Sequence, residues 1–297
     1  MSQSPHKDKL IAAMRNPKCP KEDISLLSQA KELYDIWKEA VSSLNSTGKK
    51  RVEDLTRLLN GYKNYIEVEV IAKQGSAFIK RQKGQLKLDN SIMEEFLCDL
   101  IHPTVLKGLP DFPLEIGPKT AFMSLSFAPP SLASLNDKPV IALKLKDQDF
   151  IIGKDIHYKF SSDDSFSTAK TASGSFALAV LAAECKINLD KTMFQEAAGT
   201  AARLKQGCPY SKYYILNEYL DMEPEDCRLT AIDNVFLLRH AKRLPFEKRN
   251  SYEEVRKQHE EKPIDLEIMW MFVKCIQKFI DSVWYNPSAA LKRGTFI

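Results

Sequence analysis

Phe176-Ala-Leu-Ala-Val-Leu-Ala-Ala183, running straight into Glu184-Cys185-Lys186, decides the fold. It is the longest wholly apolar run in the chain, and far short of the ~20 residues a membrane span requires. Apolar on both faces, Phe176–Ala183 predicts a central strand of a sheet covered on both sides. Asn188 and Asp190 follow, and Asp190 stands where a helix N-cap belongs. A helix is predicted from Lys191 to about Lys205, with Met193, Phe194, Ala197, Ala201 and Leu204 on one side. Ala197, Ala198, Gly199, Ala201 and Ala202 keep it slim enough to lie close on a sheet, and Gly207 ends it. Strands follow over Tyr213–Leu220 and Ile232–Arg239.

Upstream, Val140–Leu145, Asp149–Ile152 and Ile156–Phe160 read as three strands, the second closed by Gly153. Ser161–Ser175 is rich in Ser, Thr, Asp and Gly and reads as a mobile surface loop. Pro103–Pro139 reads as an irregular connection. Helical spacing marks Pro20–Leu44, Val52–Ala72 and Ser91–Ile101, with Ser46-Thr47-Gly48 breaking the first two apart. Helix returns over Glu253–Glu261 and Ile264–Trp284. The order defines an α/β fold, a sheet with helices packed on it.

The 297 residues are 44% hydrophobic and 28% charged, which excludes disordered, collagen-like and mucin-like classes. The polar start and the short Leu10–Met14 run give no signal-peptide core, so a cytoplasmic protein with reduced thiols is expected. Six cysteines and five histidines are scattered, without zinc-ligand spacing. A net charge of +4 permits a nucleic-acid partner without establishing one. The charge is patterned, however. Residues 73–88 hold Lys73, Lys80, Arg81, Lys83 and Lys87 among Gly75, Gln82, Gly84 and Gln85, with no acid before Asp89. Such a loop suits Lys80, Arg81 and Lys83 to phosphates and Gln82 and Gln85 to base edges, although a solvated basic loop reads the same way. Arg239–Lys257 is a second, weaker basic candidate.

The pattern acid-x-Lys occurs at Glu184–Lys186 and at Glu260–Lys262. The second lies in a charged run before Pro263 and needs only solubility to explain it. The first ends the most apolar strand, where residues two apart project to one face and Cys185 turns to the other. Two ionisable groups there cost several kcal/mol (~2–7) unless they pair or bind an ion. A strand-end salt bridge is one answer. The other uses Asp149, at the start of a neighbouring strand. Two adjacent carboxylates repel, and a divalent cation relieves them. An all-oxygen set suits Mg²⁺ or Mn²⁺, and a lysine beside it can stabilise charge on phosphorus. Asp147, Asp155, Asp163 and Asp164 compete with Asp149 as the first acid. Glu94 or Glu95 is a further candidate ligand, and Gln195 and Glu196 are candidates to face the site.

Asp149…Glu184-Cys185-Lys186 on this strand order resembles the PD-(D/E)XK nuclease core. AAECKINLDKTMFQEAAGTAARLK, SKYYILNEYLDM and FIKRQKGQLKLDNSIMEEFL resemble the DdeI/BbvCI-like type II restriction endonucleases. The proline expected before the first acid is Gln148 here. The resemblance implies a mixed central sheet flanked by helices, with N- and C-terminal helical additions. It divides the chain into an N-terminal helical region with the basic loop (1–90), a nuclease core (91–240) and a C-terminal helical region (241–297). It implies Asp149, Glu184 and Lys186 as catalytic residues, with Asp149 and Glu184 holding Mg²⁺. It also implies cutting of double-stranded DNA at a CCTNAGC/CTNAG-like site, with a second nuclease subunit in a homo- or heterodimer. A repair or structure-specific nuclease on the same core, a non-catalytic nucleic-acid-binding module and a non-catalytic interaction protein remain the alternatives.

Overall fold

The computed structural model describes residues 4–80, 88–282 and 284–295. Its N-terminal layer comprises α1 (Pro5–Met14), α2 (Lys21–Ser42), α3 (Gly48–Asn64) and α4 (Asn90–Leu100), with α3 passing into a π-helical segment, Tyr65–Gln74. The sheet comprises β1 (Glu115–Phe127), β2 (Ile141–Ser161), β3 (Thr171–Leu189), β4 (Lys212–Leu220) and β5 (Asn234–Lys242), with α5 (Lys191–Gly207) crossing from β3 to β4. α6 (Tyr252–Glu261), α7 (Leu266–Asp281) and α8 (Pro287–Arg293) end the chain.

Strand order is β1-β2-β3-β4-β5. β1–β2 and β2–β3 are antiparallel, whereas β3–β4 and β4–β5 are parallel. The expected mixed sheet is therefore present. The central strand is buried on both faces because each face carries its own apolar layer. Leu181, Ala183 and Cys185 pack with Phe150, Leu216 and Leu238 against α1–α4 and α7. Ala177, Ala179 and Ala182 pack with Ile151, Tyr213 and Ile215 against Phe194, Ala197 and Ala201 of α5. Small side chains on α5 allow that close approach. Its start is fixed as expected, with the Asp190 carboxylate accepting from Met193 N at 2.8 Å.

Several elements differ from the sequence reading. The three upstream strands are one strand, β2, paired on both edges. More than half of the supposed loop 161–175 is sheet or short helix: Thr168–Lys170 is a helical turn, and Thr171–Ser175 pairs with His157–Ser161. β1 lies inside the segment read as irregular. Its Gly117-Pro118 falls at a bulge between Gly117 and Lys119, where a residue without an N–H is tolerated. Among the described residues, no helix is long and apolar enough to cross a membrane.

Candidate active site

β2 and β3 bring the first acid to the second. Phe150 pairs with Ala183 and Ile151 with Ala182, so the next step along the ladder sets Asp149 beside Glu184. Asp149 Oδ2 accepts a hydrogen bond from Cys185 N at 3.0 Å. That contact fixes one carboxylate against the backbone next to the other. Cys185 is fully buried in the N-terminal core, so Glu184 and Lys186 face the α5 side. Lys186 Nζ lies 3.7 Å from Glu184 Oε1, with the two side chains 27% and 15% exposed. The pair is thus sheltered but reachable from solvent.

Tyr213 of β4, paired with Ala182, borders this group. Burial and then the negative charges of Glu184 and Asp149 push its phenol well above the usual range. Thr200 of α5, itself buried, accepts from Lys146 Nζ at 2.8 Å. Among the described residues, no three His, Cys, Asp or Glu side chains converge into a ready metal cluster. Two carboxylates suffice for Mg²⁺, which keeps several of its waters and takes one or two carboxylates from protein. Asp149 and Glu184 meet that requirement.

The competing acids go elsewhere. Asp147 accepts from Thr120 Oγ1 at 2.5 Å, and Asp155 pairs with Lys119 at 3.0 Å. Asp163 and Asp164 lie in the turn beyond the far end of β2, where the hydroxyl and N–H of Ser167 lead the contacts that hold Asp163 down to about 2. Neither Glu94 nor Glu95 lies on a solvated helix face, since both are buried. Glu95 accepts from His6 N at 3.1 Å and Tyr34 Oη at 2.5 Å and pairs with Lys38 at 3.5 Å. Gln195 and Glu196 are exposed on α5. Gln148 is buried, with Nε2 donating to the Asp147 carbonyl at 3.0 Å.

Of the basic segment, Lys80 is exposed, whereas Arg81, Gln82, Lys83 and Gln85 lie outside the described residues. Lys80 lines a cleft with Arg243, Arg249, Asn188 and Tyr219, just beyond the Lys186 end of β3. Arg239 is not a surface cation, which corrects the reading of Arg239–Lys257. It is 1% exposed, with Nε donating to Glu218 Oε2 at 2.8 Å. Glu218 also meets Lys63 at 2.8 Å, and Lys63 meets Glu67 at 2.5 Å. His259 Nε2 closes this buried network 3.0 Å from Glu67. Sequence reasoning also passed over Tyr213 and Asn217. The available signal was an amide inside the otherwise apolar start of Tyr213–Leu220.

A mixed five-stranded sheet with an acid on one strand and acid-x-Lys at the end of the next defines an α/β nuclease core. The chain belongs to the Bpu10I restriction endonuclease family, whose model matches residues 85–296. It is therefore a DNA-cleaving enzyme, a type II restriction endonuclease. Its fold is similar to a chain of the native BbvCI A2B2 tetramer, with 18% identity, TM-score 0.57, and 91% of this chain and 95% of that chain covered. No curated protein matches the sequence.

Proposed function

We propose that this chain is a cytoplasmic, Mg²⁺-dependent restriction endonuclease subunit. It hydrolyses one phosphodiester bond of duplex DNA at a short CCTNAGC/CTNAG-like site. The observation that carries this reading is Asp149 bonded to Cys185 N between Glu184 and Lys186. Asp149 and Glu184 would hold the ion. When bound, Mg²⁺ acts as a Lewis acid and lowers the pKa of its water. Lys186 sets a positive charge where negative charge develops on the phosphate, the arrangement that stabilises such a transition state. Residues 91–240 are the catalytic core in this reading, with residues 1–90 and 241–297 as helical additions.

DNA approaches along the C-terminal ends of β3 and β4. Lys80, Arg243 and Arg249 line that approach, and Arg81, Gln82, Lys83 and Gln85 are further proposed DNA contacts on the sequence pattern alone. One catalytic centre per chain cuts one strand, so a second nuclease subunit is required for the other. The A2B2 assembly of the BbvCI enzyme supports a multi-subunit arrangement. The test is plasmid DNA incubated with the pure chain, with and without candidate partner subunits, in Mg²⁺ and in excess chelator. Discrete fragments that vanish with chelator are expected. A smear or structure-dependent cutting means a repair nuclease, and no cutting with any partner means a binding module.

A further inference from the structure

Asn217 of β4 is the in-register partner of Lys186 of β3. The pair is parallel, so both side chains project to the face that Glu184 and Tyr213 share. Asn217 is fully buried, and neither Oδ1 nor Nδ2 has a hydrogen-bond partner among the described residues. Buried polar groups in folded proteins are almost always bonded. The neighbours of Asn217 on the same face of β4, Tyr213 and Ile215, belong to the apolar core under α5. A leucine would fill the position without leaving an amide unsatisfied.

Lys186 supplies the complementary need. An ammonium carries three donors. Its separation of 3.7 Å from Glu184 is an ion pair, too long to be a hydrogen bond. An amide oxygen one strand away, held by the sheet at the spacing of neighbouring strands, is an acceptor within reach of a turning lysine.

We propose that Asn217 is a positioning residue for Lys186. Its Oδ1 accepts a hydrogen bond from the ammonium as the lysine turns from Glu184 toward the phosphate being cut, and this fixes where the remaining protons point. The amide acts through Lys186 and does not touch DNA. The inference rests on the reading of Lys186 as the catalytic cation.

The test compares Asn217→Leu, Asn217→Ser, Lys186→Met and the Leu/Met double variant, each in the complete enzyme with the partner subunit it needs. Cleavage of plasmid DNA is followed in single turnover with Mg²⁺, beside metal-free DNA binding and a thermal melt. Asn217→Leu is expected to melt at or above the wild-type temperature and to bind DNA unchanged. It should cut about ten- to a hundredfold more slowly, the value of one hydrogen bond to a charged group. Asn217→Ser, which keeps an oxygen, should recover part of the rate. The double variant should be no slower than Lys186→Met alone.

A wild-type rate in Asn217→Leu overturns the proposal. So does a penalty that persists in full on top of Lys186→Met. If Lys186→Met itself cuts at full speed, the reading of the site fails. An inactive Lys186→Met beside a fully active Asn217→Leu removes this inference alone. Should the leucine variant melt well below wild type, an Asn217→Ala variant, which is smaller and keeps no acceptor, carries the test: a wild-type rate there is equally fatal.

Discussion

Replacing Lys186 with Glu separates a catalytic lysine from a structural one. The wild-type pair spans 3.7 Å, with Lys186 27% and Glu184 15% exposed. Two unit charges about 4 Å apart interact by about 4 kcal/mol at an effective dielectric of ~20. Exposed pairs are worth ~0–1 kcal/mol, and breaking a fully buried one costs ~3–5 kcal/mol. A half-sheltered pair lies between, on the order of 1–3 kcal/mol. Charge reversal costs at least that much and places three carboxylates together. A protein of ordinary stability, ~5–15 kcal/mol, remains folded after such a loss, and the melt falls by several degrees. Cleavage should fall much further. Losing one electrostatic stabiliser slows a reaction by ~10²–10³, and here the sign is also inverted. DNA binding should survive, since the basic cleft lies elsewhere. With a second catalytic subunit present, the Lys186→Glu complex should nick one strand. The assay follows supercoiled, nicked and linear plasmid over time, beside a melt. Double-strand cutting at wild-type speed, with only the melt lowered, would refute the assigned role.

Other expectations follow from particular side chains. Asp149→Ala removes the acceptor for Cys185 N and should abolish Mg²⁺-dependent cutting, checked in the same plasmid assay, with little change in metal-free DNA affinity. Replacing Lys80, Arg243 and Arg249 with Ala should flatten the dependence of DNA affinity on salt by about one unit of slope for each phosphate no longer neutralised, and an unchanged slope would clear the cleft of that role. Arg239→Ala strips buried Glu218 of one of its two cations, with Lys63 remaining, and should cost up to ~3–5 kcal/mol in denaturant unfolding. Burial, then Lys63, lowers His6 to about 3, so the unfolded chain takes up a proton below its ordinary 6.5 while the folded chain does not. The stability held by neutral His6 is complete above that value and drains away as pH falls toward about 3. A His6→Gln protein should show a flatter fall of melting temperature across that window.

The apolar centre of the molecule was readable because its signals are local. Phe176–Ala183, the Asp190 cap and the alanine-rich helix each report on their own few residues, and each lies where the sequence puts it. Glu184 and Lys186 were readable because ions at the end of an apolar strand are costly. The long β1–β2–β3 antiparallel run was not. Val140–Leu145 was legible as a strand, but residues 146 and 147 are exposed and unmarked by any apolar alternation, and pairing with β1 shows that they continue it. Thr171–Ser175 carries turn-forming residues and becomes strand because β2 offers it a partner. Arg239 looked like surface because its neighbours Lys242 and Arg243 are. Its burial depends on Glu218, 21 residues away in sequence. Asn217 is the same kind of case: only the β3–β4 register makes it a neighbour of Lys186.

Which face Glu184 and Lys186 take depends on an irregularity in the β2–β3 pairing, at Gly153. Over Phe150–Ile152 β2 alternates, with Ile151 toward α5 and Phe150 and Ile152 toward the N-terminal helices. β3 does not, because Ile152 pairs with Leu181 and Gly153 with Ala179, leaving Val180 as an extra residue. Ala177 and Ala179 face α5 before the bulge, and Ala182 faces it afterwards. Strict alternation from Ala179 would have turned Cys185 toward α5 and sent Glu184 and Lys186 into the N-terminal helical layer. The one-residue shift therefore puts both on the same face as Asp149. A Cβ at position 153 would run into the Leu178 carbonyl oxygen and lie 3.1 Å from Ala179 Cα. Both obstacles are backbone, so β3 itself must move. Gly153→Ala should cost ~1–3 kcal/mol as an overpacked site. Because the displaced strand carries Glu184, it should also slow cleavage more than its stability loss explains, by ~10²-fold for a misplacement of about 1 Å. Cleavage measured well below the melting temperature isolates that second effect. If Gly153→Ala cuts at the wild-type rate there, the bulge does not set the geometry of the site.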